Sequence, residues 1–172
     1  RGGKDNGSFE NRSRAYSKVG GLTGIGIPKS VQSVLERLIR HGYPSVIAGG
    51  AVRDTISGIP CQDWDIVSCA TLDQIAQLFS DSRIKIAGKL FPVCLVDHVE
   101  VAAARLTDTG LALPDKTSWI FTDLSFRDLT INAMAWDPES DSVIDPFGGR
   151  RDLENKIIRF TGDPEMRITE DP

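Results

Sequence analysis

The chain has 172 residues, 40% of them hydrophobic and 26% charged, the profile of one globular domain that buries roughly 70% of its unfolded surface and needs no disulfide or structural metal. No apolar run approaches the ~20 residues of a membrane-spanning helix, and the Arg-Gly-Gly-Lys start lacks the apolar core of a secretory leader. Net charge is −4: residues 1–30 carry six basic and two acidic side chains, the rest fourteen and twenty-two, so the main body is not a generic phosphate-binding surface.

Residues 1–24 are rich in Gly, Ser, Asn and Arg without apolar periodicity, and read as a flexible basic tail. Pro28 opens a helix whose Val31, Val34, Leu35, Leu38 and Ile39 fall on one face until Gly42 stops it. Ser45–Ala48 is expected as a buried strand, and 51–57 as a short helix after Gly49-Gly50, ended by Gly58. A second strand carries Asp63-Trp64-Asp65-Ile66-Val67, and Thr71 with Gln74 predicts a capping box for a helix through Phe79. Strands at 93–96 and 99–105 are close enough across Asp97-His98 to form a hairpin. A helix over 124–134, a strand at Val143-Ile144, a turn at Gly148-Gly149 and a strand over 157–160 complete the pattern. Helices and strands mix without strict alternation, which predicts an α+β fold: a mixed β-sheet with flanking helices. Cys61, Cys69 and Cys94 show no zinc spacing and no close pairing, as expected of reduced thiols in the cytoplasm, and His41 and His98 are too isolated for a ligand cluster.

Two groups of residues carry chemistry. Gly49-Gly50 is followed after twelve residues by Asp63-Trp64-Asp65-Ile66. Two Asp at i and i+2 on a strand share a face and repel unless a divalent cation lies between them, and hard oxygen donors suit Mg²⁺. A Gly-Gly turn into a helix presents backbone N–H groups and a positive helix end to a polyphosphate. Taken singly, the Gly-Gly is a tight turn and the Asp-x-Asp two exposed carboxylates; their joint spacing favours a metal–phosphate site. The second group is Arg127, Asp128 and Asn132, which a helix would place on one face as donor, acceptor and amide, able to bind ribose hydroxyls or simply to form an ion pair and a cap.

The pattern apolar-Gly-Gly followed by Asp-apolar-Asp-apolar resembles the signature of the DNA polymerase β nucleotidyltransferase superfamily. That superfamily uses a third carboxylate flanked by apolar residues; Val99-Glu100-Val101 fits it, and the polar face of an ordinary hairpin is the alternative. Gly49-Gly50-Ala51-Val52-Arg53-Asp54, with Gly58 and Asp63-Trp64-Asp65, is similar to the first motif of the bacterial class II tRNA nucleotidyltransferase/poly(A) polymerase family. Asp123-Leu124 with Arg127-Asp128-Leu129-Thr130-Ile131-Asn132-Ala133 resembles its ribose-selecting segment. Ile144-Asp145-Pro146-Phe147-Gly148-Gly149, Asp152-Leu153 and Ile158-Arg159 form a third match. Gly162-Asp163-Pro164, Arg167-Ile168 and Glu170-Asp171-Pro172 look like the start of its hinge motif.

The resemblance implies a polymerase-β-like head over residues 25–161, between the 1–24 tail and a hinge that begins at 162–172. It implies template-independent addition of nucleotides from NTP, ATP and CTP among them, to the 3′ end of tRNA or another RNA, either CCA or part of it, or poly(A). Asp63 and Asp65 would hold two Mg²⁺ ions, with Glu100 as third catalytic carboxylate. Gly49, Gly50 and Arg53 would cradle the triphosphate, and Arg127, Asp128 and Asn132 would address the ribose and nearby phosphate. Base selection and most of the grip on tRNA belong, in the family, to regions beyond the head. Phe126 departs from the family's first Arg of Arg-Arg-Asp, and the stretch between Arg105 and Asp123 is short and poor in arginine. A catalytically inactive nucleotide-binding module and a metal-dependent glycosyltransferase are the competing readings. The intact Asp63/Asp65 pair argues against the first, and the second leaves the 49–54 and 127–133 motifs unexplained.

Overall fold

The buried strand expected at Ser45–Ala48 lies in a sheet covered on both faces. The computed structural model describes residues 16–17, 26–88, 92–105 and 118–165. In chain order the elements are β1 (Tyr16–Ser17), α1 (Lys29–Arg40), β2 (Ser45–Ala48), α2 (Gly50–Ile56), β3 (Ile66–Ser68), α3 (Leu72–Leu78), β4 (Ile84–Ala87), β5 (Val93–Val96), β6 (Val99–Ala103), α4 (Ser118–Ser125), a 3₁₀ turn (Thr130–Asn132), β7 (Ala135–Asp137), β8 (Ser142–Ile144) and α5 (Gly149–Glu154). The strands form one mixed sheet in the order β1-β8-β7-β2-β3-β6-β5-β4. Only β3 and β6 run parallel; the other pairings are antiparallel.

Alternation along the central strands splits the core in two. Ile47, Ile66 and Val101 pack on one face with Val31, Val34, Leu35 and Leu38 of α1 and Ile75 of α3. Val46, Ala48 and Val67 point to the other face, against Trp119, Ile120 and Leu124 of α4. A central strand buried on both sides loses the alternation of a half-exposed one, which is why every residue of β2 is buried, Ser45 included.

Several expectations hold locally. Gly42 ends α1 with φ +83°, and Gly58 follows α2 with φ +69°. The capping box is present: Gln74 N–H donates to Thr71 Oγ1 (3.2 Å) and Thr71 N–H to Gln74 Oε1 (2.9 Å). Asp97 and His98 both have positive φ, the two-residue turn whose twist suits a hairpin, although β6 stops at Ala103 rather than Arg105.

Others are corrected. The helix expected over 124–134 does not form: α4 ends at Ser125, and the chain extends through Leu129, which bridges Phe160, before the 3₁₀ turn and β7. Tertiary pairing overrides the helical pattern, with Thr130 N–H donating to Arg159 C=O and Thr161 N–H to Asp128 C=O, both at 2.8 Å. That single bridge replaces the expected 157–160 strand. The Gly148-Gly149 turn opens α5, and β4, an edge strand with Lys85 and Ile86 exposed, is an element the sequence pattern does not predict. Within the segment read as a flexible tail, Tyr16–Ser17 pair with β8; the rest of 1–24 lies outside the described residues, as do 106–117 and 166–172. Among the described residues no helix is long and apolar enough to cross a membrane.

Candidate active site

The carboxylates sit where β2, β3 and β6 meet. Asp63 and Asp65 lie in the extended segment leading into β3 rather than in the strand itself, but Ala48 N–H donates to Asp65 C=O (3.1 Å), so the β2 pairing continues through Asp65. Trp64 is buried in the core while Asp63 is exposed and Asp65 half-buried, so the two acids share the opposite face. The parallel register sets Ile66 beside Val101. One residue back, that register brings Glu100 alongside Asp65.

Electrostatics agree with this placement. Burial pushes the Asp65 carboxyl above its ordinary range; Arg127 pulls it down and Asp63 pushes it further up. Burial likewise raises Glu100, with the charges of Asp65 and Asp63 adding to the effect. The charge of Asp63 raises Asp65, and both raise Glu100, so this face carries a surplus of negative charge that a cation would neutralise. Among the described residues no three His, Cys, Asp or Glu side chains are gathered so as to enclose a metal ion by themselves. The donor set nevertheless fits magnesium, which takes hard oxygens, keeps several waters and commonly completes its shell with substrate phosphates.

Gly49 closes the end of β2. Its N–H donates to Met134 C=O (2.9 Å), and its own carbonyl accepts from Val52 and Arg53 N–H at 3.1 and 3.2 Å. Its backbone, φ +80° and ψ −136°, is one that only glycine adopts readily, and a Cβ there would stand 2.6 Å from Arg127 Nη1. Gly49 is therefore bare because the Arg127 guanidinium passes over it. Arg127 is mostly buried, and its Nε is buried without a hydrogen-bond partner. Desolvation lowers its pKa, while Asp123 and Asp65 hold it up.

Asp123 anchors that arginine from within the core. It is 2% exposed, accepts from Arg105 N–H (2.9 Å), and lies 3.5 Å from Arg127 Nη2 and 3.4 Å from Arg105 Nε. Asn132 Nδ2 donates to Asp128 Oδ1 (3.2 Å), while Asn132 Oδ1 accepts from Arg53 Nη1 (2.6 Å). Asp128 and Asn132, expected on one face of a helix, meet instead with Asp128 ahead of the 3₁₀ turn and Asn132 at its end. Arg53, read from sequence as a triphosphate contact, is engaged with Asn132 and with Asp54.

The third motif supports this turn from below. Asp145 accepts from Gly149 and Arg150 N–H at 2.7 and 3.0 Å, starting α5. A Cβ on Gly149 would fall 2.0 Å from Thr130 C=O, so α5 presses directly on the 3₁₀ turn. Buried Asp152 accepts from Thr130 Oγ1 (2.7 Å) and from Arg159 Nε (2.9 Å), and Arg159 holds its carboxyl below the usual range. Thr161 Oγ1 donates to the carbonyls of Arg127 and Asp128. Sequence reasoning gave no role to Asp54, Asp123, Thr130, Asp152 or Thr161; only the presence of the first four within the quoted motifs hinted at one.

The structure therefore brings Asp63, Asp65 and Glu100 to one face and places Gly49, Arg127, Arg53, Asn132 and Asp128 beside them. The arrangement can hold a cation against a phosphate and offer a carboxylate and an amide to vicinal hydroxyls. Residues 45–159 match the poly A polymerase head domain. The chain is 38% identical over 151 residues to the CCA-adding enzyme of Ligilactobacillus salivarius, covering 83% of this chain and 37% of that enzyme. It is 33% identical over 165 residues to poly(A) polymerase I of Salmonella typhi, covering 85% and 35%. Among solved structures, the Bacillus stearothermophilus CCA-adding enzyme in complex with CTP superposes with a TM-score of 0.66 at 31% identity, over 83% of this chain and 35% of that one. The chain spans little more than a third of the length of these relatives.

Proposed function

The chain belongs to the poly A polymerase head domain family, and from that premise we propose that it is the catalytic head of a template-independent RNA nucleotidyltransferase that adds nucleotides from NTP to an RNA 3′ end, chiefly CCA or part of it on tRNA. The observation that carries the proposal is the convergence of Asp65 and Glu100, each raised by burial and by the neighbouring carboxylates, on the strand end where Gly49 and Arg127 meet.

In this reading the 3′-hydroxyl of the RNA attacks the α-phosphate of the nucleotide, and pyrophosphate leaves. Asp63 and Asp65 would hold two Mg²⁺ ions, which would neutralise phosphoryl charge and make the attacking hydroxyl more acidic. Glu100 adds a third negative oxygen donor beside them. Gly49 and Gly50 let the triphosphate approach the backbone, and Arg127, held by Asp123, presents its guanidinium to phosphate. Asp128 accepts from the ribose hydroxyls, with Asn132 fixing its direction. Residues 25–161 make up this head, 1–24 a basic extension and 162–172 the start of a hinge, in a protein of the cytoplasm. The −8 balance after residue 30 favours tRNA being gripped mainly by parts outside the head.

Poly(A) synthesis is the second reading, favoured by the 33% identity to poly(A) polymerase I. Sequencing the RNA products formed with each NTP singly and with all four together separates the two. Products ending in C, CC or CCA on a tRNA primer support tRNA end addition, and long A tracts support poly(A) synthesis. No incorporation with any NTP and Mg²⁺ refutes both.

A further inference from the structure

The pair read as ribose-facing is held from behind by two consecutive residues of α2. A side-chain amide can present either end to a neighbour, and which end faces Asp128 decides whether it donates or repels. Here Asn132 Oδ1 is taken by Arg53 Nη1 at 2.6 Å, which leaves Nδ2 for Asp128, 3.2 Å from Oδ1 and 3.4 Å from Oδ2. Arg53 is fixed in turn by Asp54. The Asp54 Oδ1 accepts from Arg53 Nε at 2.8 Å and lies 2.8 Å from Nη2. Neighbouring residues on a helix do not normally face each other, so this contact bends the guanidinium back across α2 and directs its remaining edge toward Asn132. Both side chains are only partly exposed, at 33% and 25%.

From these contacts we propose that Asp54 is a positioning residue for sugar recognition: it fixes Arg53, Arg53 fixes the amide of Asn132, and the amide aims the Asp128 carboxylate at the ribose hydroxyls of an incoming ribonucleoside triphosphate. The inference rests on Asp128 and Asn132 addressing the ribose. It changes the role of Arg53, whose strongest contacts serve the sugar side of the site rather than the triphosphate. Asp128 keeps acceptor positions for two O–H donors while Asn132 satisfies the rest, an arrangement that penalises a nucleotide lacking the 2′-hydroxyl.

The test is steady-state incorporation of ATP and of dATP into an RNA primer by the protein carrying this head, for D54N, D54E, R53K, N132A, D128A and the double variant D54N/N132A. Asp54→Asn raises KM for ATP about tenfold, the equivalent of one charge-assisted hydrogen bond. It leaves KM for dATP within about twofold, so the ATP preference falls. Asp54→Glu restores part of that preference. Arg53→Lys, which keeps the charge but cannot span Asp54 and Asn132 together, reproduces the loss should Asp54→Asn fold poorly. The double variant is no worse than Asn132→Ala alone, because the effect of Asp54 passes through Asn132. Equal changes for ATP and dATP in both Asp54→Asn and Arg53→Lys, or multiplying effects in the double variant, overturn the relay. If N132A and D128A collapse the ATP preference while D54N and R53K do not, the relay alone fails. If N132A and D128A leave the preference intact, the ribose reading fails with it.

Discussion

Replacing Gly49 by Ala tests how the site is built. The substituted residue must hold φ +80° and ψ −136°, a conformation that costs a residue with a Cβ about 1–3 kcal/mol. The new methyl must also displace Arg127 Nη1, which stands 2.6 Å from where it would lie. Arg127 has little room to yield, being mostly buried and anchored to Asp123. For a domain of this size each kcal/mol lowers Tm by about 2–4 °C, so Gly49→Ala should melt about 2–12 °C below the parent. Incorporation should fall more steeply than stability, because Arg127 moves. Gly50→Ala is the control. Its Cβ would meet Arg53 Nη2 at 3.5 Å, an ordinary contact, and Gly50 has no positive φ, so Tm should be unchanged or slightly raised. Thermal melts followed by circular dichroism, with incorporation assayed well below Tm, give both readouts. Equal Tm for Gly49→Ala and Gly50→Ala, with incorporation by Gly49→Ala within twofold of the parent, would refute the reasoning.

Three further outcomes follow from the same geometry. Because burial, with Asp63, raises the Asp65 carboxyl in the folded state against the pull of Arg127, the fold binds more protons there than the unfolded chain does, and stability from this group falls as pH rises from the ordinary carboxylate range through the raised value. Asp65→Asn should therefore raise Tm at pH 7, with the gain vanishing below that window, as melts across pH would record. Asp123→Ala leaves Arg127 and the Arg105 backbone N–H without their buried acceptor and should cost about 3–5 kcal/mol in denaturant titration; a loss under 1 kcal/mol would contradict the anchoring role. Asp128→Ala should reduce use of ATP far more than use of dATP, and an unchanged ratio of kcat/KM values would make Asp128 structural.

Much of the site was legible in sequence because its signals are local. Gly49-Gly50 and Asp63-Trp64-Asp65 declare a turn and an alternation within a few residues, and the capping box at Thr71 and Gln74 needs no tertiary contact. The 124–134 segment shows the limit. Its apolar spacing reads as helix, yet Leu129, Thr130 and Thr161 are drawn into pairing across about thirty residues of chain that no local pattern encodes. Glu100 is ambiguous for a similar reason, since its hairpin partner is Leu95 and only the parallel register with β3 brings it beside Asp65. Strand β4 was missed because it is a short edge with Lys85 in the middle, a composition that suits an exposed edge and weakens the strand signal. Arg53 was assigned to the triphosphate by motif, and its contact with Asn132 spans 79 residues of sequence.

The most direct measurement is incorporation of labelled ATP and CTP into an RNA 3′ end, with Mg²⁺, by the protein carrying this head and its Asp63→Asn and Asp65→Asn variants, each confirmed folded by its melt. If the two carboxylates hold the ions that offset phosphoryl charge, both variants lose about 100-fold or more in rate while melting no lower than the parent. Either variant, folded and turning over within tenfold of the parent, would contradict the assignment of Asp63 and Asp65 as the metal-bearing centre of the head.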